Sequence, residues 1–208
     1  MLTISSIETV RPRSNARRIS FVEMSDVVLV PQQVIKHMGI SVADTFDTLE
    51  DFYNSVGEFE FSCAKDRALR ILTRKDCTTG EISKKLQEDT YRRDTIIAVK
   101  KYLIEYNLCD DQEYLRRNIS YRLEQGIPEK KILQDLTKKH LDKDDILVVI
   151  EELSNDQSYD LQMAKGRKII EKLDVTTPKL RDKALRKLVN RGYSFDQAKK
   201  IINSQLEE

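Results

Sequence analysis

The chain has 208 residues, enough for one or two domains, and 34% of them are charged although the formal net charge is only +1. Gly and Pro are scarce, at 6 and 4, which is the composition of long solvated helices. No apolar run approaches a membrane span, and the opening MLTISSIETVRPR lacks the basic-then-apolar order of a secretory signal, so a cytoplasmic protein without membrane contact is expected.

Residues 1–30 hold short runs rich in β-formers, Leu2–Val10, Ile19–Glu23 and Val27–Val30. Turn formers separate them, at Arg11-Pro12-Arg13-Ser14-Asn15 and at Ser25-Asp26. Val27–Val30 is short and wholly apolar, which predicts a buried strand. Pro31 suits a first helical turn and Gly39 a stop, so a short helix is predicted over Pro31–Met38, with a second over Asp47–Ser55. Thirty residues of strand make a poor core alone, so residues 1–56 should form a small β-rich unit packed on its neighbour.

From Gly57 onward the pattern is helical throughout. A first trio of helices is predicted at Glu60–Arg74, from the Thr78 cap to Glu88, and at Asp94–Asn107. A second occupies Glu113–Gln125, Pro128–Lys139 and Asp144–Leu153, and a third Tyr159–Leu173, Pro178–Arg191 and Ser194–Leu206. Thr78-x-x-Glu81 and Ser194-x-x-Gln197 are capping boxes, in which a hydroxyl and a longer side chain satisfy two exposed amides reciprocally.

These trios echo one another. Ile82, Leu86, Tyr91, Ile96, Val99 and Leu103 recur 50 residues later as Ile132, Leu136, Leu141, Ile146, Val149 and Leu153. A further 52 residues on stand Ala184, Leu188, Tyr193, Ala198, Ile201 and Gln205, of which Gln205 breaks the apolar rule. A fixed period of this size marks stacked supersecondary units. The expected fold is therefore mostly α: three tandem three-helix repeats (57–110, 111–157 and 158–208) forming an elongated curved array after the β-rich unit.

No catalytic constellation stands out. His37 and His140 lie in separate elements, outside any HExxH or Cys/His cluster. Cys63, Cys77 and Cys109 are odd in number and far apart, which fits free thiols in a reducing compartment. There is no GxxxxGK[ST] or GxGxxG. The aspartates of Asp110-Asp111 and Asp142–Asp145 sit at helix starts, where capping explains them. The chain reads as a binder rather than an enzyme, with no metal and no cofactor expected.

The charges alternate in blocks. Residues 1–62 carry 5 basic and 9 acidic side chains, 63–107 carry 11 and 7, 108–164 carry 8 and 13, and 165–208 carry 12 and 6. Such blocks suit a charged, composite partner. The candidate contacts are Arg67, Arg70, Arg74 and Lys75, then Arg92 and Arg93, then Arg116, Arg117 and Arg122, and finally Arg181, Arg186 and Arg191, with Lys165, Arg167, Lys168 and Lys187 nearby. On the helix predicted over Glu60–Arg74, Arg67, Arg70 and Arg74 share one face at i, i+3, i+7 spacing. Guanidinium forks suit phosphates and carboxylates. There is no Trp, and the Tyr residues are not interleaved with the basic ones as in a base-stacking platform, so sequence-specific readout is not expected. No heptad seam is evident, which predicts a monomer.

Three stretches in order resemble the bacterial RecX family. Residues 64–111, AKDRALRILTRKDCTTGEISKKLQEDTYRRDTIIAVKKYLIEYNLCDD, are similar to its pattern of Ala68-Leu69-x-x-Leu72, a turn, Glu81-Ile82-x-x-Lys85-Leu86, and a helix closing on Leu108-Cys109-Asp110-Asp111. The segment LVNRGYSFDQAKKII resembles the family's ending, and the β-rich start resembles an extension that some members carry. The second unit departs from the family in being net acidic. The resemblance implies a regulator that binds in the groove of the RecA–single-stranded DNA filament, lowers ATP hydrolysis and strand exchange, and restrains the SOS response and DNA repair. RecA and its filament are the partners so implied, with DNA itself as a further candidate. The residues alone leave a helical-repeat adaptor or a nucleic-acid binder acting without RecA as the alternative.

Overall fold

A computed structural model describes residues 1–12 and 14–206. Arg13, part of an expected turn, and residues 207–208 of the last expected repeat lie outside the described residues. The chain divides into two compact units, Met1–Asp110 and Asp111–Glu208.

In the first unit, β1 (Leu2–Thr9), β2 (Ala16–Phe21) and β3 (Val27–Pro31) precede α1 (Gln32–Met38) and the two-residue β4 (Thr45–Phe46). The four strands form one antiparallel sheet in the order β3-β2-β1-β4. Val27–Val30 is not the fully buried strand that its composition predicts. It is an edge strand, with Val28 and Val30 buried but Val27 and Leu29 about half exposed at 49% and 47%. Pro31 ends this strand and serves as the N-cap of α1, and Gly39 closes α1 with φ 68°.

Next come α2 (Leu49–Leu72), α3 (Thr79–Glu88) and α4 (Arg93–Glu105). The two helices expected over Asp47–Ser55 and Glu60–Arg74 are one 24-residue helix, so position 56 falls inside it. Glycine in a helix costs about 1 kcal/mol, too little to break a helix anchored by packing on both sides. Here Phe52, Val56, Cys63, Ala64, Ala68 and Ile71 are all buried. Phe52 meets Phe21 and Phe46 edge-on, with centroids 5.4 and 5.0 Å away. Sheet and first helix trio thereby share one core, which runs from Ile4 to Leu103. Helix α2 ends before Arg74, so the expected Arg67, Arg70 and Arg74 row is not carried by one helix.

The second unit comprises α5 (Asp111–Glu124), α6 (Glu129–Thr137) and α7 (Lys143–Leu153), then α8 (Asp156–Ile170), α9 (Pro178–Val189) and α10 (Phe195–Leu206). The first three enclose one apolar cluster around Ile119, Ile132, Leu136 and Ile146, and the last three another around Ile170, Leu188, Tyr193 and Ile201.

The apolar echo is a core echo: its positions are buried or half-buried in every trio. It extends to the backbone. Thr90, His140 and Gly192 occupy the same place in each period, and all are left-handed, with φ of 68°, 62° and 97°. Each closes the middle helix of its trio, where the 3.6-residue winding must stop before the chain turns. The Tyr91 amide reaches back to the Leu86 carbonyl and the Tyr193 amide to the Leu188 carbonyl, at 3.1 and 3.3 Å.

Candidate protein and nucleic-acid interface

The expected contact residues divide by what they already hold. Arg67, on α2, donates from Nε to Asp89 Oδ2 at 2.7 Å, and Asn15 Nδ2 holds the other oxygen at 2.6 Å. Asp89 is the C-cap of α3. Three residues on, the Arg92 amide donates to Glu60 Oε1 at 2.7 Å, and its Nε donates to Oε2. Glu60 is 1% exposed. Helix α2 thus clamps both ends of the α3–α4 link through two charge-assisted pairs. Tyr91 lies buried between them, and burial pushes its phenol well above the usual range. A Cβ on Gly57 would stand 2.7 Å from the Arg92 guanidinium, so the glycine inside α2 leaves room for this clamp.

Others serve the fold in the same way. Arg122 and Lys131 converge on Asp135, at 3.2 and 2.9 Å. Burial raises the Asp135 carboxyl, but the Lys131 and Arg122 hydrogen bonds outweigh it and leave it below the ordinary aspartate value. Arg181 donates to the carbonyls of Val175 and Thr176, fixing the approach to α9. Lys187 caps α8 through the Ile169 carbonyl at 3.0 Å. Arg116 pairs with Glu152 and Lys75 with Glu81 across exposed surface, where such pairs contribute little. Arg117 is exposed and engaged.

Arg70, Arg74, Arg93, Arg186 and Arg191 are exposed and make no ion pair among the described residues. Arg93 stands at the first position of α4, the positive end of the helix dipole, where a cation is disfavoured by a few tenths of a kcal/mol or more. Arg92 beside it has Glu60 as compensation, whereas Arg93 has no such partner.

In the second unit, Arg191 and Lys165 line an open groove of about 520 Å³ together with Lys131, Ile127, Pro128 and Ile169. The groove joins apolar surface to ammonium and guanidinium groups. Lys131 was not legible as part of it, because its groove neighbours come from the α5–α6 link, α8 and the α9–α10 link. The exposed Lys168 and Arg167 of α8 line a separate recess with Ser204 and Gln205.

No group of three or more His, Cys, Asp or Glu among the described residues is placed to hold a metal ion. None of the described helices is long and apolar enough to cross a membrane.

A regulatory protein RecX from Clostridium perfringens (strain SM101 / Type A) is 30% identical to this chain over 207 residues, covering 96% of this chain and 94% of its own. The chain belongs to the RecX family. A RecX protein from Vibrio parahaemolyticus is 27% identical over 145 residues, 70% of this chain and 93% of that protein. A crystal structure of a regulatory protein RecX matches with a TM-score of 0.60 at 19% identity, over 98% of this chain and all of that one, and supports the fold. No protein-family model matches the chain.

Proposed function

We propose that this RecX-family protein binds the RecA–single-stranded DNA filament and lowers its ATP hydrolysis and strand exchange, and through them the SOS response. Family membership supports RecA as the partner, since the resemblance first drawn from the sequence is to RecA regulators. The observation that carries the contact surface is the set of exposed cations left over once the fold's own ion pairs are assigned. Among the candidate contacts these include Arg70, Arg74 and Arg93 in the first unit, with Lys165, Arg186 and Arg191 in the second. A nucleoprotein filament presents phosphates and carboxylates together, and both accept guanidinium donors.

Co-sedimentation with RecA filaments on single-stranded DNA tests this reading. The pair Arg70→Glu and Arg74→Glu should weaken binding mainly through the association rate, with a shallower dependence on salt. A reversed-charge pair that bound and inhibited fully at physiological salt would remove these residues from the interface.

A further inference from the structure

A cleft of about 350 Å³ opens in the first unit, lined by Asn15, Gln32, Gln33, Lys36, Arg67 and Arg70 together with Pro31, Asp89 and Tyr91. Three cations face one carboxylate there. That carboxylate, Asp89, is taken at both oxygens by Asn15 and Arg67. Lys36 makes no ion pair among the described residues, and Arg70 is bonded through Nε alone, to the Asp66 carbonyl of its own helix at 3.2 Å. The cleft therefore keeps an excess of positive charge and several unused donors.

Its lining is mixed, with Pro31 and the Tyr91 ring set among charged and carboxamide side chains. Affinity at such a site comes from charge and hydrogen bonds. An ammonium and a guanidinium fork suit phosphodiester oxygens. Carboxamides beside them offer paired donors and acceptors, which suit a sugar hydroxyl or a base edge.

We propose that this cleft binds the sugar-phosphate backbone of single-stranded DNA, with phosphodiesters on Lys36 and Arg70 and the neighbouring nucleotide against Gln32 and Gln33. The β-rich N-terminal segment and α1 then supply half of a nucleic-acid site, as well as a share of the core. The inference rests on the DNA half of the function proposed above and does not require RecA.

The test is fluorescence anisotropy of a labelled oligothymidylate titrated with the whole protein, without RecA, over a range of salt. Lys36→Ala with Arg70→Ala should lower the slope of log affinity against log salt by about 1.4, roughly 0.7 for each lost phosphate contact. Its melting temperature should match that of the unsubstituted protein, because both side chains are exposed. If the double variant melts early, Lys36→Gln alone should lower the slope by about 0.7. An unchanged slope overturns the assignment, as does failure of the unsubstituted protein to bind the oligonucleotide. Displacement of the oligonucleotide by polyglutamate as readily as by unlabelled DNA also overturns it, assigning the cleft to protein carboxylates. Regulation of RecA is read separately, in ATP hydrolysis, where Lys36→Gln alone separates this cleft from the Arg70 and Arg74 contact.

Discussion

Arg67 and Asp89 stand 22 residues apart in sequence and 2.7 Å apart in space, tying α2 to the end of α3. Asp89 is 7% exposed, so removing Arg67 leaves a nearly buried carboxylate with Asn15 alone. Arg67→Ala should lower unfolding free energy by about 2 kcal/mol, the cost of stranding a buried charged acceptor. Urea denaturation measures it. A double-mutant cycle with Asp89→Ala should return a coupling of about 1 kcal/mol or more, and additivity within about 0.3 kcal/mol would contradict the pairing.

The left-handed residue that follows the middle helix of each trio predicts opposite signs for opposite exchanges. Thr90 is β-branched at φ 68°, a conformation that costs L-residues about 1–2 kcal/mol. Thr90→Gly should therefore raise stability by about 1 kcal/mol after the entropy cost of glycine. Gly192→Ala should lower it by more than about 1 kcal/mol, because the added Cβ would stand 2.9 Å from the Lys131 amide nitrogen as well as straining the backbone. Thermal unfolding of the two variants gives both signs.

Gly166 is a packing glycine. A Cβ there would stand 2.3 Å from Ile201 Cδ1 and 3.1 Å from the Tyr193 ring, and both neighbours are buried to 1% exposure or less. Gly166→Ala should destabilise the second unit by about 1–3 kcal/mol, in spite of alanine's better helix propensity, through overpacking. A variant melting at or above the unsubstituted protein would show that this core can yield.

Asp135 predicts a pH dependence. Its carboxyl is lowered in the folded state, so the Arg122–Asp135–Lys131 cluster contributes stability above the unfolded value of about 3.9 and loses it as pH falls through the lower folded value. The stability difference between the protein and Asp135→Asn should be constant from about pH 5 to 7 and shrink below about pH 4. A difference that persisted to pH 2 would place the effect elsewhere.

The helix trios were legible because their apolar spacing and caps are local: Thr78 and Ser194 make the reciprocal bonds that their sequences announce. The merger of two expected helices into α2 was not, because Gly57 is explained by Arg92, 35 positions away. Gln205, the polar exception in the echo, points its amide nitrogen at the carbonyls of Ile170, Glu171 and Leu173, at 3.3–3.4 Å. It closes the end of α8 where its counterparts Leu103 and Leu153 fill core. The arginine clusters were visible as clusters. Which members serve the fold depended on Glu60, Asp89 and Asp135, whose pairing is set by tertiary contact rather than by spacing.

The most direct test is RecA's ATP hydrolysis on single-stranded DNA with this protein titrated in below the RecA concentration. Filament regulation predicts a fall in rate at sub-stoichiometric ratios, partly reversed by Arg70→Glu with Arg74→Glu. An unchanged rate, with no co-sedimentation of the protein with the filament, would contradict the account.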